Sequence, residues 1–468
     1  MDAPIQTWDS TRFYRQIVIL MEFSDASFSF SDPHEHYNRI FNETGYNEGA
    51  GPGCIADYFR DQSGGLFKPV FDVFGPYKVN LPAKANSDLT NYGKKEIRQA
   101  IELFLSDNPE MDYTPYDWDS DGCIEQVIIV YASYSGQNIT DYIWPNTSHI
   151  LYDYLTPDNL IINYASASAE LWPNGKPYGI GVICHEYSHC LGLPDIYPMS
   201  LKNVFSACDE WDLMDGGNYS NWGWCPPNLS AQEKMYLGWY TPIELDSSTV
   251  ITGMKSVSEG GPSYIIRHSN SEFLILENRQ RTGWDKSIPG QGLLITRIDF
   301  DPKSWSNNEV NNIPPDYFRY KIIHADNLSY NDWEKIYPRI DGDNTCYENP
   351  EEKMNSRRLS TSAYPWHSDS TDFVNDELTD TSVPSAIMRT YNANHKKLLG
   401  KSITNICMAQ DGTISFDFML EPAAVDSRQG NSNNDIWYDI DGRRLISKPD
   451  APGIYINNNR IILLSPAN

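Results

Sequence analysis

The sequence predicts an α/β (α+β) unit followed by β-rich regions, on three observations. Strand-length apolar runs alternate with helical periodicity along the earlier part of the chain. Beyond about residue 245 the apolar runs shorten and are separated by Gly, Ser and Asn, as in strands joined by turns. The 468 residues exceed one small core, and a hydrophobic fraction of 40% with 13% aromatics is ample for packed interiors.

YRQIVILMEFS at 14–24 is a short run rich in branched residues and bounded by polar ones, hence a buried strand. KKEIRQAIELFL at 94–105 carries apolar residues at helical spacing, and EQVIIVYAS at 125–133 is a second buried strand. A further helix is expected over 175–191, entered through NGKPYG and closed by Gly192, a residue suited to the left-handed turn after a helix. TVITGM, YIIRH, FLILEN, GLLITRID and YKIIHAD supply the later strands. DSRQGNSNND at 426–435 reads as a linker, and WYDIDGRRLI with GIYINNNRIILL as a closing hairpin. The expected divisions are therefore 1–245, 246–425 and 426–468.

The net charge of -27 argues against nucleic acid and anionic membrane, because phosphate neutralisation needs clustered Lys and Arg. No apolar run approaches the roughly 20 residues of a membrane helix. MDAPIQTWDS lacks a basic head followed by an apolar stretch, so no secretion signal is visible. Eight cysteines are scattered without a CxxC pair, which permits disulfides or buried thiols alike. Cys184 and Cys190, six apart on one helix, lie on largely different faces and should not pair.

The chemistry concentrates in ICHEYSHCLGLPD, 183–195. On a helix His185 and His189 project from nearly the same face and can share one zinc ion. Glu186 leans to the same side and can take a proton from water that the metal acidifies. A core helix with two satisfied histidines is the alternative. A third ligand can come from Asp195, six residues on, or from Glu210 in SACDEWD. Gly192 permits an immediate chain reversal, Pro194 stiffens the approach, and Met214 follows in the glycine-rich WDLMDGGNYS, all of which favour Asp195.

HEYSHCLGLPD with Met214 downstream resembles the HExxHxxGxxD motif and Met turn of the immune inhibitor A-like metallopeptidases, relatives of the metzincins. FSDASFSF, DYFRDQSGGLF, FDVFGPYKV, YDWDSDG, LSAQEKMYLGW, LENRQRTGWD and PGQGLLITRID extend the resemblance over most of the chain. It implies a metzincin-like catalytic domain, His185, His189 and Asp195 as zinc ligands, Glu186 as catalytic base, and Met214 beneath the metal. Two positions depart from it: Ser188 stands where many members have Gly, and Arg297 where His is frequent. No function is assigned to Arg297.

DWDSDGCIE at 117–125 opens like a calcium loop, with Asp117, Asp119 and Asp121 as oxygen ligands. Ile128 occupies the twelfth position, where an EF-hand needs Glu, and a polar turn before the strand is an equal alternative. The last forty residues resemble small β modules that end many exported proteins of the Bacteroidetes group. The expectation is a secreted or cell-surface zinc endopeptidase, monomeric, acting on protein or peptide substrates. A non-catalytic adhesin or glycan-binding protein on the same fold and a zinc amidase of small or cell-wall peptides are the rivals.

Overall fold

The computed structural model describes residues 8–84, 92–136, 141–199, 206–330, 332, 359–368, 373–420, 437–439, 444–445, 449, 453–457 and 460–464. The expected linker at 426–435 lies outside the described residues.

The first sheet is built on β1 (Tyr14–Glu22), whose IVIL run is buried on both faces, as suits a central parallel strand. It pairs in parallel with β2 (Pro69–Lys78) and β3 (Val127–Tyr134). Parallel β5 (Ile161–Leu171) joins β3, and β4 (Asn146–Leu155) runs antiparallel along β5, giving the order β2-β1-β3-β5-β4. Alternate side chains sort to opposite faces. Val18, Leu20, Ile128 and Val130 meet α1 (Pro33–Asn42), α2 (Ile55–Gln62) and α4 (Gly181–Cys190). Ile17, Ile19, Val127 and Ile129 meet α3 (Lys94–Asp107) through Ile97, Ala100, Ile101 and Phe104. The helix ends follow local chemistry. Asp32 caps α1 by accepting from Glu35 N, with Pro33 just inside, and Cys54 with Asp57 forms a reciprocal cap on α2.

Helix α4 starts six residues later than 175. The NGKPYG segment instead extends β5 as a tight return: Gly175, at φ 83, donates to Trp172 O, and Tyr178 N donates to Glu170 O. Those backbone groups are thereby spent, and Pro177 has no N–H to offer a helix.

After α5 (Ala231–Tyr236) come β6 (Ile243–Glu244), β7 (Thr249–Met254), β8 (Tyr264–Arg267), β9 (Glu272–Arg279), β10 (Gly292–Asp299), the short α6 (Pro302–Ser306) and β11 (Tyr320–Ile322). A second sheet has the order β11-β10-β9-β8-β6. One of its faces, with Ile265, Phe273, Ile275, Leu294 and Ile298, joins the core that contains α4 and Met214. The other, with Ile266, Leu274, Leu276 and Ile295, packs on a sheet of β7 with β14 (Ile403–Met408) and β15 (Ile414–Phe418). A two-residue pair, β12 (Trp366–His367) and β13 (Val374–Asn375), precedes that sheet. The C-terminal segment is a four-stranded sheet rather than a single hairpin. Its order is β17-β16-β18-β19, from Trp437–Asp439 (β16), Arg444–Leu445 (β17), Gly453–Asn457 (β18) and Arg460–Leu464 (β19). Among the described residues no helix is long and apolar enough to cross a membrane.

Candidate metal centre

All ten residues of α4 are buried, and His185 and His189 share one face with ring centroids 4.9 Å apart. Each imidazole is oriented from behind. His185 Nδ1 lies 2.9 Å from Leu213 O and His189 Nδ1 lies 2.7 Å from Leu193 O. A carbonyl only accepts, so Nδ1 carries a proton in both rings and both Nε2 atoms face forward.

They face Asp195. Gly192, at φ 98, reverses the chain after α4, with Gly192 N donating to His189 O and Leu193 N to Ser188 O. The two Nε2 atoms then lie 3.2 and 3.3 Å from Asp195 Oδ1. Both are ion-pair contacts, and the buried Oδ1 receives no hydrogen bond from any other group. Within this group the ligand atoms of His185, His189 and Asp195 all lie within 4.8 Å of one another. Burial opposes charge on His189, but the Asp195 carboxylate outweighs it and lifts the imidazole to about 9. Burial also opposes charge on Asp195, and the two histidines outweigh it, holding the carboxyl far below its ordinary range. Two imidazole nitrogens and one carboxylate oxygen, converging in a buried site with no other hydrogen-bond donor on that oxygen, are a donor set that fits zinc.

The Met turn braces both ends of this set. Leu213 O orients His185, and Met214 O receives Ile196 N at 2.8 Å, immediately after Asp195. Met214 is fully buried, and its N–H is capped by Asp212 Oδ1 at 2.8 Å. Gly181 must be glycine, because a Cβ there would come 2.1 Å from Asn218 O in the segment after the turn. Glu210 lies in the 3-10 turn Asp209–Trp211 and is not a member of the ligand cluster.

Glu186 points from the same helix. Burial pushes its carboxyl up, His185 and His189 pull it down, Asp195 pushes it up, and a hydrogen bond from Thr147 pulls it down. Thr147 Oγ1, on edge strand β4, is 2.9 Å from Glu186 Oε2 and 2.8 Å from Glu186 O. Sequence reasoning missed this residue, and it missed Asn308, which bonds Asp195 Oδ2. Neither stands in a motif or near α4 in the chain.

The acidic loop gathers Asp117 and Asp119 with Glu125 rather than with Asp121. Asp121 Oδ1 accepts from Cys123 N at 2.7 Å within its own turn. Glu125 Oε1 accepts from Trp118 N at 2.7 Å, while its buried Oε2 has no hydrogen-bond partner. Burial pushes this carboxyl to about 8. Arg297 is a buried structural cation, donating to Phe318 O at 3.0 Å and lying 3.8 Å from Glu272. All seven described cysteines are free thiols, Cys184 and Cys190 among them.

Residues 15–240 match the family model described as Immune inhibitor A peptidase M6, catalytic domain. The chain is 24% identical over 270 residues to the Pre-pro-metalloprotease PrtV of Vibrio cholerae serotype O1, a match covering 51% of this chain and 29% of PrtV. It is 23% identical over 421 residues to Immune inhibitor A of Bacillus thuringiensis subsp. alesti, covering 75% of this chain and 59% of the relative. The matches thus span less than two thirds of either relative.

Proposed function

We propose, for a chain whose residues 15–240 match the catalytic domain of the immune inhibitor A peptidases, zinc-dependent endoproteolysis of protein or peptide substrates with Glu186 as general base. The observation that carries this reading is the convergence of two pre-oriented Nε2 atoms on the buried Oδ1 of Asp195, beside Glu186. Three protein ligands match a catalytic rather than a structural zinc site, which uses four. Bound there, zinc would supply Lewis-acid polarisation of a carbonyl and acidify water.

The remaining chemistry belongs to the chain. Glu186 takes the proton of the attacking water and returns it to the departing amine, a task that suits a carboxyl raised by burial. Thr147 holds Oε2, which leaves Oε1 as the atom that carries the proton. The metzincin-like description belongs to this reading, supported by the HExxHxxGxxD order along α4 and its following loop and by the Met turn that receives the chain after Asp195. An extracytoplasmic location and a monomeric state go with it, the former through kinship with metalloproteases. Asp117, Asp119 and Glu125 are the proposed calcium ligands, three carboxylates of which one offers a buried, unpartnered oxygen. An adhesin would have no use for the complete set of ligands and base. A small-peptide amidase differs only in what it cleaves.

The test is Glu186→Gln, which keeps shape and removes the base. Hydrolysis of a protein substrate and of a peptide library should fall by roughly 10²–10⁴, with zinc content unchanged by metal analysis. Chelation should abolish the unmutated activity and zinc should restore it. Undiminished proteolysis by the zinc-replete Gln variant overturns the mechanism, and cleavage confined to short peptides turns the assignment to the amidase.

A further inference from the structure

One side chain from beyond the family-matched segment grips Asp195 at two points. Asn308 Oδ1 accepts from Asp195 N at 2.5 Å, and Asn308 Nδ2 donates to Asp195 Oδ2 at 2.7 Å. Together these contacts place an acceptor and a donor on two separate atoms at the end of a short side chain, an arrangement that the Asn amide supplies. An aspartate would set carboxylate against carboxylate, and an alanine would leave the N–H and Oδ2 without these partners.

The loop carrying Asn308 is built to hold it there. The chain leaves α6 with Asn308 N donating to Trp305 O, and Trp305 is buried in the main core. Asn308 itself has φ 57, in the left-handed region that Asn enters more readily than most residues. Three residues on, Asn311 Nδ2 donates to Ile196 O and Tyr320 O, both at 2.8 Å, and its Oδ1 accepts from Arg319 N at 2.9 Å. Consecutive residues, Asp195 and Ile196, are thereby tied to one loop that is itself anchored to β11.

The chemical consequence concerns which oxygen of Asp195 is offered. A carboxylate turns freely about its last torsion, since sp³–sp² wells are broad. Asn308 occupies Oδ2, so Oδ1 is the oxygen turned to His185 and His189. We infer that Asn308 is a positioning residue that presents Asp195 Oδ1 to the metal, so that the site is assembled from α4, its following loop, and a loop of the second-sheet region beyond residue 240. The inference rests on the reading of Asp195 as a zinc ligand.

The test compares Asn308→Ala, Asn308→Ser, Asp195→Ala and the exposed neighbour Asn307→Ala in the full chain. Zinc affinity is read by competition with a chromogenic chelator, and ligand geometry by the visible absorption of the cobalt(II)-substituted protein at saturation. Loss of an outer partner of this kind weakens metal binding by roughly 10–100-fold, and that is expected for Asn308→Ala, with an altered cobalt spectrum. Asn308→Ser, able to replace only one of the two bonds, should fall between and guards against failure of the Ala variant to fold. Asn307→Ala should match the unmutated protein. If Asp195→Ala loses zinc while both Asn308 variants keep unmutated affinity and spectrum, the positioning role is overturned and the ligand assignment stands. If Asp195→Ala keeps its zinc, the ligand assignment itself falls.

Discussion

Arg279→Met should destabilise the protein by about 3–5 kcal/mol, the usual cost of removing one partner from a buried ion pair. Arg279 on β9 and Asp285 are 1% and 0% exposed, and their contact is bidentate, with Nε and Nη2 each 2.7 Å from a different carboxylate oxygen. Nη2 also reaches Trp211 O at 3.4 Å and Asn228 O at 3.3 Å, weaker contacts that link β9 to both flanks of the Met turn. Met fills most of the arginine stem, so the cavity contribution is small and the cost is electrostatic. Without the guanidinium, Asp285 keeps the Asn228 N–H at 2.9 Å, one donor for a buried charge. Adding Asp285→Asn removes that charge and keeps an acceptor for Asn228, so the double variant should recover more than half of the loss. The assay is urea unfolding at saturating zinc, read as a change in midpoint at constant slope. A single-variant cost below about 1 kcal/mol, or a double variant that simply adds the two single losses, would refute the claim that the pair is coupled.

Two further outcomes are expected. Burial, with Asp209 adding to it, raises Asp215 to about 6 from 3.8, against opposing hydrogen bonds from Cys208 and Ser206. The native state therefore keeps a proton that the unfolded chain has released, a stabilisation complete below the unfolded value and lost as pH rises through about 6. At roughly 1.4 kcal/mol per pKa unit this amounts to about 3 kcal/mol, and Asp215→Asn should remove that part of the fall in stability between pH 4 and 7, measured by denaturant unfolding; parallel profiles would contradict it. Calcium should raise the melting temperature of the unmutated protein through Asp117, Asp119 and Glu125, and Glu125→Gln should lose that response while Asp121→Ala retains it. Equal melting with and without calcium reduces the loop to a turn.

The sequence by itself determined whatever depends on neighbours a few residues apart. Helical geometry places His185 and His189 on one face, and Gly192 marks where α4 must reverse, so the candidate metal-binding motif was legible at once. Continuous branched runs marked β1, β3, β9 and β10, because strands buried on both faces leave few positions for polar residues. The start of α4 was misread because helical periodicity does not reveal that NGKPYG had spent its backbone bonds on the end of β5. Strands β4 and β5 went unnoticed: NTSHILYDYL mixes polar and aromatic residues, and IINYASASAEL buries alanine and serine, which carry no strand signature. Tertiary structure alone decided how the site is finished. The donor to Asp195 Oδ2 comes from 113 residues away, the acceptor behind His185 from 28, and the hydroxyl on Glu186 from 39. Glu125 likewise displaced Asp121 because the turn spends Asp121 on Cys123. A motif fixes which atoms can bind a metal, since that is set by residue type and helical pitch; which lone pair each atom presents is set by hydrogen bonds, and their partners are chosen by packing.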